Sequence, residues 1–275
     1  MQLTPATAVA IATTDLSARY DLSSIKHMVV GGLPLTKDLL TRFFAKGIWK
    51  TVQLYGMTEA APYVAWQKVD ETIERGQIGK LLPGIEARLC DESGTDVPAG
   101  SAGEMWIRGP NVTNGYVDNP DATRLAFKEH GWYNTGDVCT FSPRGYLSIV
   151  GRTKELIKYN GFQVAPVELE TYLNGHPAIA DAAIGAVTDK TRMTELPTAY
   201  VVLKANIGNE EDKIAALRDI QQHVDSKVSG YKKLRGGVWE VKELPRTSTG
   251  KFMRTQLSTH ATGLNSKQKL GRSKL

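Results

Sequence analysis

The sequence predicts an α/β fold in two parts, a larger α/β layer that carries a β-rich subdomain and, behind it, a small α+β domain. Three observations predict it. A helical apolar pattern runs into a short β stretch that breaks at Tyr55-Gly56. A dense series of short strands fills the span between Gly79 and Gly151. After Gly151 the order becomes helix, strand, strand, helix, strand.

The first helix is read from Pro34, with Leu35, Leu39, Leu40, Phe43 and Phe44 on one side, and ends at Gly47. Residues 50–54 form a β run whose carboxyl end opens into a loop, the usual place for a ligand in such sheets. Strands follow over residues 85–90, 103–108 and 145–150, with turn signals at Ser93-Gly94 and Pro143-Arg144-Gly145. Pro166 stands where a first helical turn tolerates proline, residues 167–174 continue that helix, and Gly175 can close it. Apolar strands are predicted over 182–187 and 198–203. Asn209, with Glu210, Glu211 and Asp212 behind it, starts a helix whose Ile214, Leu217, Ile220, Val224 and Val228 share a face. The last strand is 237–241. The boundary falls at residues 152–154, which gives domains over 1–151 and 152–259 and a flexible tail over 260–275.

Composition narrows the function classes. The chain of 275 residues, 41% hydrophobic and 23% charged, can bury a sizeable core. Its net charge of +5 comes mostly from Lys267, Lys269, Arg272 and Lys274, and without those four the remainder carries +1. That is no polyanion footprint, so nucleic acid is not an expected partner. No apolar run reaches the roughly 20 residues of a membrane helix, and no secretory signal opens the chain. Cys90 and Cys139 lie outside any metal-ligand or redox spacing, consistent with reduced thiols.

Four segments occur in one order: QLYGMTEA at 53–60, GWYNTGDV at 131–138, GRTKELIKYNGFQVAPVELE at 151–170 and LPRTSTGK at 244–251. The last is not a P-loop, because no Gly stands at the required position before Gly250 and Phe252 follows Lys251. Together the four resemble the AMP-forming adenylate-forming enzymes, and most closely the 4-coumarate:CoA ligases and their fungal acyl-CoA ligase relatives. The resemblance runs from about Tyr20 to about Leu257. It implies a partial large adenylate-forming domain followed by that family's small carboxyl-terminal domain. The family's Ser/Thr/Gly-rich phosphate loop has no counterpart between Met1 and Gln53, so the chain looks like the second half of such an enzyme and is expected to be catalytically silent alone.

The resemblance also implies roles. Gln53, Leu54, Tyr55, Gly56, Met57 and Thr58 line the ATP/AMP site, with the Tyr55 ring on adenine and the Thr58 hydroxyl at the α-phosphate. Glu59 holds Mg²⁺, a hard cation suited to carboxylate oxygen, and Gly56 lets backbone approach the nucleotide. Asp137 and Arg152 take the ribose diol, whose paired donors match two carboxylate oxygens. Lys154 is the hinge, Lys158 and Gln163 face the active site, and Lys251 is the adenylation lysine. Asn160 and Gly161 border the channel for CoA, where a side chain at Gly161 would obstruct the thiol arm. The acyl pocket takes Gly31, Gly32, Leu33, Leu54, Pro62 and Tyr63. Leu54 stands where coumarate ligases usually have Gly and Tyr63 where a small aliphatic is common, changes that reshape the pocket for the carboxylic acid. Gly151 replaces an Asp frequent before the Arg.

The implied reaction activates a carboxylic acid with ATP and passes it to CoA. An adenylating enzyme of luciferase type and an inactive truncated remnant are the alternatives. Ser273, Lys274 and Leu275 form the tripeptide read by the peroxisomal import receptor, so a peroxisomal address is expected.

Overall fold

A computed structural model describes residues 1–3, 5–14, 19–32, 41–43, 45–47, 50–69, 71, 76–247, 250–260 and 265–267. The chain divides into two compact units, Met1–Thr153 and Lys154–Leu275. The division follows Thr153 rather than Gly151 because Arg152 still belongs to a strand of the first unit, paired with Asp137.

In the first unit the elements are β1 (Gln2–Leu3), α1 (Pro5–Thr13), β2 (Met28–Gly31), β3 (Thr51–Gly56), β4 (Tyr63–Trp66), β5 (Gln77–Leu81), β6 (Glu86–Cys90), β7 (Gly103–Arg108), α2 (Pro120–Ala126), β8 (Tyr133–Phe141) and β9 (Leu147–Arg152). The strands form one sheet in the order β1-β2-β3-β4-β5-β9-β8-β7-β6. β1, β2 and β3 run parallel, and every later pairing is antiparallel. β7 shows why its sequence forms a half-covered strand: Gly103, Met105 and Ile107 are buried while Glu104, Trp106 and Arg108 face outward, the two-residue alternation of a pleated surface. The inner face packs Val64, Ile78, Met105, Ile107 and Leu147 into one core, and Met28, Val30, Ile11 and Phe43 form a second at the β1–β2 end.

β3 runs two residues past its predicted end at Leu54. β4 pairs it antiparallel through Tyr55↔Ala65 and Gly56↔Tyr63, so the partner strand extends the ladder where the sequence read a turn. The strand expected over 145–150 is shifted to Leu147–Arg152 by its register with β8. Of the helix expected from Pro34, Phe43 is buried; Pro34, Leu35, Leu39, Leu40 and Phe44 lie outside the described residues.

The second unit holds β10 (Ile157–Tyr159), β11 (Phe162–Val164), α3 (Pro166–Leu173), β12 (Ile179–Asp189), β13 (Thr194–Leu203), α4 (Glu210–Asp225) and β14 (Gly237–Glu240). A three-stranded sheet β12-β13-β14 and the two-stranded β10-β11 carry it. α3 begins on Pro166, whose missing N–H costs nothing at a first helical turn. α4 is capped by Asn209, whose Oδ1 accepts from the Asp212 N–H at 2.9 Å, and Glu210, Glu211 and Asp212 complement the helix dipole. Its Ile214, Leu217, Ile220 and Val224 are buried; Val228 lies past the helix end and still packs on the same core. β12 and β13 extend beyond their predicted spans because each supplies the other's ladder partners from Ile179↔Leu203 to Asp189↔Thr194.

Candidate active site

β3 delivers Tyr55 and Gly56 to the edge of a tight connection to β4. The Met57 N–H donates to the Pro62 carbonyl at 2.7 Å, Thr58–Ala60 form a single 3₁₀ turn, and Ala61 closes it at φ 44°. A Cβ on Gly56 would stand 1.9 Å from the Pro62 carbonyl oxygen. The glycine is therefore required by the chain's own close approach, a reason independent of any nucleotide. Thr58 and Pro62 are exposed, and Met57, Glu59 and Tyr63 half-buried.

Three strands converge on Asp137. The carboxylate is 4% exposed, receives the Tyr55 hydroxyl on Oδ2 at 2.5 Å and the Arg152 Nε on Oδ1 at 2.9 Å. Tyr55 comes from β3, Asp137 from β8 and Arg152 from β9, where Asp137 and Arg152 are direct cross-strand partners. Arg152 leaves its guanidinium half exposed. Burial, reinforced by the Asp137 charge, pushes the Tyr55 phenol far above its ordinary value, so it stays a donor. The turn beneath is set by Asn134, whose Oδ1 accepts from the Gly136 N–H at 2.8 Å, and by the Thr135 hydroxyl, which accepts from the Asp137 N–H at 3.1 Å. Gly136 takes φ 69°, open to glycine without strain.

Glu59 is held by the segment 111–116 between β7 and α2. The Tyr116 hydroxyl donates to Glu59 Oε1 at 2.8 Å and lies 3.1 Å from the Tyr133 hydroxyl. The Thr113 N–H donates to the Glu59 carbonyl at 2.8 Å, and Asn111 Nδ2 donates to the Ala60 and Tyr63 carbonyls at 2.5 and 3.0 Å. The only sequence signal for these residues was the turn-forming Asn114-Gly115 ahead of Tyr116.

The expected acyl positions are partly together. Gly31 and Leu54 are register partners on β2 and β3, and a Cβ on Gly31 would meet Leu54 Cδ1 at 2.6 Å. The Leu54 side chain thus lies over the space that Gly31 leaves. Gly32 is exposed at φ 74°, and Leu33 lies outside the described residues. Tyr63 donates to Gln2 Oε1 at 2.8 Å. Gln53 is buried, its Nε2 donating to the Gln77 carbonyl at 3.1 Å, so it fastens β3 to β5.

In the second unit Lys158 and Gln163 are exposed cross-strand partners on β10 and β11. Asn160 at φ 46° and Gly161 at φ 81° form the two-residue turn between them, the Asn-Gly signature of a tight hairpin. Nothing lies within 4 Å of a Cβ built on Gly161, so its backbone angle, rather than crowding, is what calls for glycine here. The Asn160 N–H donates to the Thr194 hydroxyl at 2.7 Å, which in turn donates to the Lys158 carbonyl at 3.0 Å. The hairpin is bolted to β13.

Lys251 is exposed at the end of a second turn, where the Thr247 N–H donates to the Lys251 carbonyl at 2.8 Å. Ser248 and Thr249 lie outside the described residues. The turn's base is stiff. Arg246 grips both carboxylate oxygens of Asp181 at 2.8 and 2.9 Å and its guanidinium carbon lies 3.9 Å from the Phe252 ring centroid. Arg254, three residues beyond Lys251, is buried against Glu170, bonds Glu155 Oε2 at 2.9 Å and donates to the Ile184 carbonyl at 2.8 Å. Neither arginine was singled out from sequence. Lys154 is exposed in the 3₁₀ turn Thr153–Glu155, and Ser273, Lys274 and Leu275 lie outside the described residues.

Comparison with known proteins gives this arrangement its kinship. The family described as AMP-binding enzyme matches residues 1–117, and its carboxyl-terminal domain matches residues 168–251. The chain is 37% identical over 268 residues to 4-coumarate–CoA ligase-like 6 of Oryza sativa subsp. japonica, covering 96% of this chain and 43% of that protein. It is 38% identical over 255 residues to peroxisomal OPC-8:0-CoA ligase 1 of Arabidopsis thaliana, covering 92% and 45%. The anthranilate CoA ligase AuaEII, solved in complex with anthranoyl-AMP, superposes with a TM-score of 0.80 at 30% identity over 94% of this chain and 50% of that one. The chain spans about half the length of these relatives. By the two family matches, which together span most of its length, the chain belongs to the AMP-binding enzymes, the family that includes these CoA ligases.

Proposed function

We propose that this chain carries the ribose-holding and thiol-accepting parts of an enzyme that converts a carboxylic acid and ATP into an acyl-adenylate and pyrophosphate, then transfers the acyl group to CoA with release of AMP. The observation that carries the reading is the buried Asp137 carboxylate, fixed by Tyr55 and Arg152 at the end of β3. Each of its oxygens already accepts one hydrogen bond and has capacity for another, which suits a vicinal diol.

The Tyr55 phenol orients that carboxylate in addition to whatever its ring offers adenine. Thr58, exposed on the turn, is the donor for the α-phosphate. Glu59 suits Mg²⁺, since a carboxylate has about four acceptor sites and Tyr116 engages one oxygen. Bound there, the ion would supply charge neutralisation for the phosphates. Lys251 offsets the negative charge that gathers on the reacting oxygens, and a unit charge at about 4 Å is worth about 4 kcal/mol at an effective dielectric near 20. Lys158 and Gln163, paired on one hairpin, and the Asn160-Gly161 turn serve the CoA half-reaction, with Lys154 as the pivot between the two uses of the second unit. Leu54 over Gly31 shortens the acyl pocket relative to a glycine there. Ser273-Lys274-Leu275 would serve as a peroxisomal address wherever it carries the free terminal carboxylate that the import receptor reads.

The test is a titration of AMP into the chain. Asp137→Asn is expected to remove most of the binding and Arg152→Ala part of it. Equal affinity in Asp137→Asn and the parent would sink the reading.

A further inference from the structure

Beside the residues that the motifs point to, the structure places a phenol pair on the side chain of Glu59. Tyr116 Oη lies 2.8 Å from Glu59 Oε1 and 3.1 Å from Tyr133 Oη. Tyr133 is 5% exposed and anchored in the core of the first unit, where its ring meets Phe127 edge-on with centroids 5.2 Å apart. Tyr116 is fixed from behind as well. Its N–H donates to the Thr123 hydroxyl at 2.9 Å, and Gly115 packs so closely on Thr123 that a Cβ would come within 2.7 Å. The same segment holds the backbone of Glu59 through Thr113. One stretch of six residues, 111–116, therefore fixes both the main chain and the carboxylate of Glu59.

We propose that Tyr116 is a positioning residue for Glu59, its hydroxyl holding the carboxylate in the orientation in which it meets a divalent cation, with Tyr133 holding Tyr116 in turn. The proposal rests on the reading of Glu59 as the Mg²⁺ ligand. A half-buried carboxylate on a short turn still samples several rotamers when nothing holds it, and that freedom is a cost at the moment of ion binding. A hydrogen bond from a fixed phenol removes part of that cost in advance. Groups that orient a metal ligand from behind typically contribute 10- to 100-fold in metal affinity. Tyr116→Phe deletes only the donor and keeps the ring, so the fold has no reason to change.

The experiment follows ATP binding to the chain at increasing Mg²⁺ by titration calorimetry, with AMP binding in EDTA as a measure of the nucleotide site alone. Tyr116→Phe is expected to raise half-saturating Mg²⁺ by about 10-fold or more and leave AMP affinity in EDTA unchanged. Tyr133→Phe should show a smaller rise in the same direction, and Glu59→Gln the largest. If Glu59→Gln shifts the Mg²⁺ dependence while Tyr116→Phe stays within twofold of the parent, the positioning role is refuted and the ligand reading stands. If Glu59→Gln itself leaves the Mg²⁺ dependence unmoved, the ligand reading fails and takes the positioning role with it. A loss of AMP affinity in EDTA equal to the Mg²⁺ effect would show that Tyr116 only shapes the loop, and would also overturn the proposal.

Discussion

Replacing Tyr55 by Phe isolates one hydrogen bond at the buried carboxylate. The ring stays, so any stacking on adenine is kept, and only the donor to Asp137 Oδ2 at 2.5 Å is lost. Asp137 is 4% exposed and then keeps Arg152, whose guanidinium is half in solvent, as its remaining side-chain donor. A hydrogen bond to a charged group contributes about 1.5–3 kcal/mol, and with Tyr55 itself 7% exposed little of that is lost to solvent screening. Tyr55→Phe should therefore unfold about 1.5–3 kcal/mol more easily. AMP affinity should fall about 10-fold, which corresponds to about 1.4 kcal/mol of the same interaction. The pH dependence gives a second, independent readout. The phenol's folded pKa is raised above the ordinary 10.0, so its contribution is complete below pH 10 and declines as pH rises, because the unfolded chain loses that proton first. The Cys139 thiol, also raised by burial, titrates in the same direction and remains in both proteins. In urea unfolding at pH 8 to 11 the parent should lose stability above pH 10 with a slope steeper than the variant's by up to one proton. Unchanged AMP affinity together with parallel alkaline curves would refute the role given to the phenol.

Arg254→Ala strips the buried Glu170 of its cation and frees Glu155, and should cost about 3–5 kcal/mol in urea unfolding; a shift of the midpoint worth less than 1 kcal/mol, roughly a surface pair's contribution, would contradict the burial argument. In a protein extended to the length of the relatives, Lys251→Ala should slow adenylate formation by about two to three decades while thioester formation from supplied acyl-AMP is largely kept; equal loss in both halves, read by pyrophosphate exchange and by CoA-thioester yield, would remove Lys251 from its role. Leu217→Ala empties a fully buried position of α4 and should lower stability by about 2–5 kcal/mol, measured by thermal melting. A fluorescent protein fused ahead of the chain and ending at Leu275 should collect in peroxisomes and turn diffuse on removal of Ser273, Lys274 and Leu275; a folded fusion that stays diffuse with the tripeptide present would end the localisation reading.

Local patterns carried most of the second unit in the sequence. Asn209 with three acids behind it, the spacing from Ile214 to Val224, and Pro166 at a helix start are short-range signals, and the corresponding helices sit where they were read. Strand ends were less legible because they depend on partners far along the chain. β3 gains Tyr55 and Gly56 only from β4, and β12 gains its outer residues only from β13. The same limit governed the site. Motif residues such as Asp137 and Arg152 were found one by one, but that they are ladder partners is a fact of register. Tyr116, Arg246 and Arg254 were missed since their partners, Glu59, Asp181 and Glu170, stand 57, 65 and 84 residues away. Gly56 and Gly161 also have reasons within the backbone itself that only the structure shows, contact with Pro62 for the first and a positive φ for the second.

The short turn Thr153–Glu155 bears on how such enzymes can be recombined. The Thr153 hydroxyl donates to Glu104 Oε1 at 2.8 Å inside the first unit, and Glu155 bonds Arg254 at 2.9 Å inside the second. A splice between Thr153 and Lys154 severs neither bond. Splices placed one strand earlier, between β8 and β9, would part Asp137 from Arg152, and ones placed after Glu155 would part it from Arg254. The seam at which halves from different relatives can be exchanged with their internal wiring intact is thus only the two peptide bonds that flank Lys154, and a hybrid library should concentrate its functional members there.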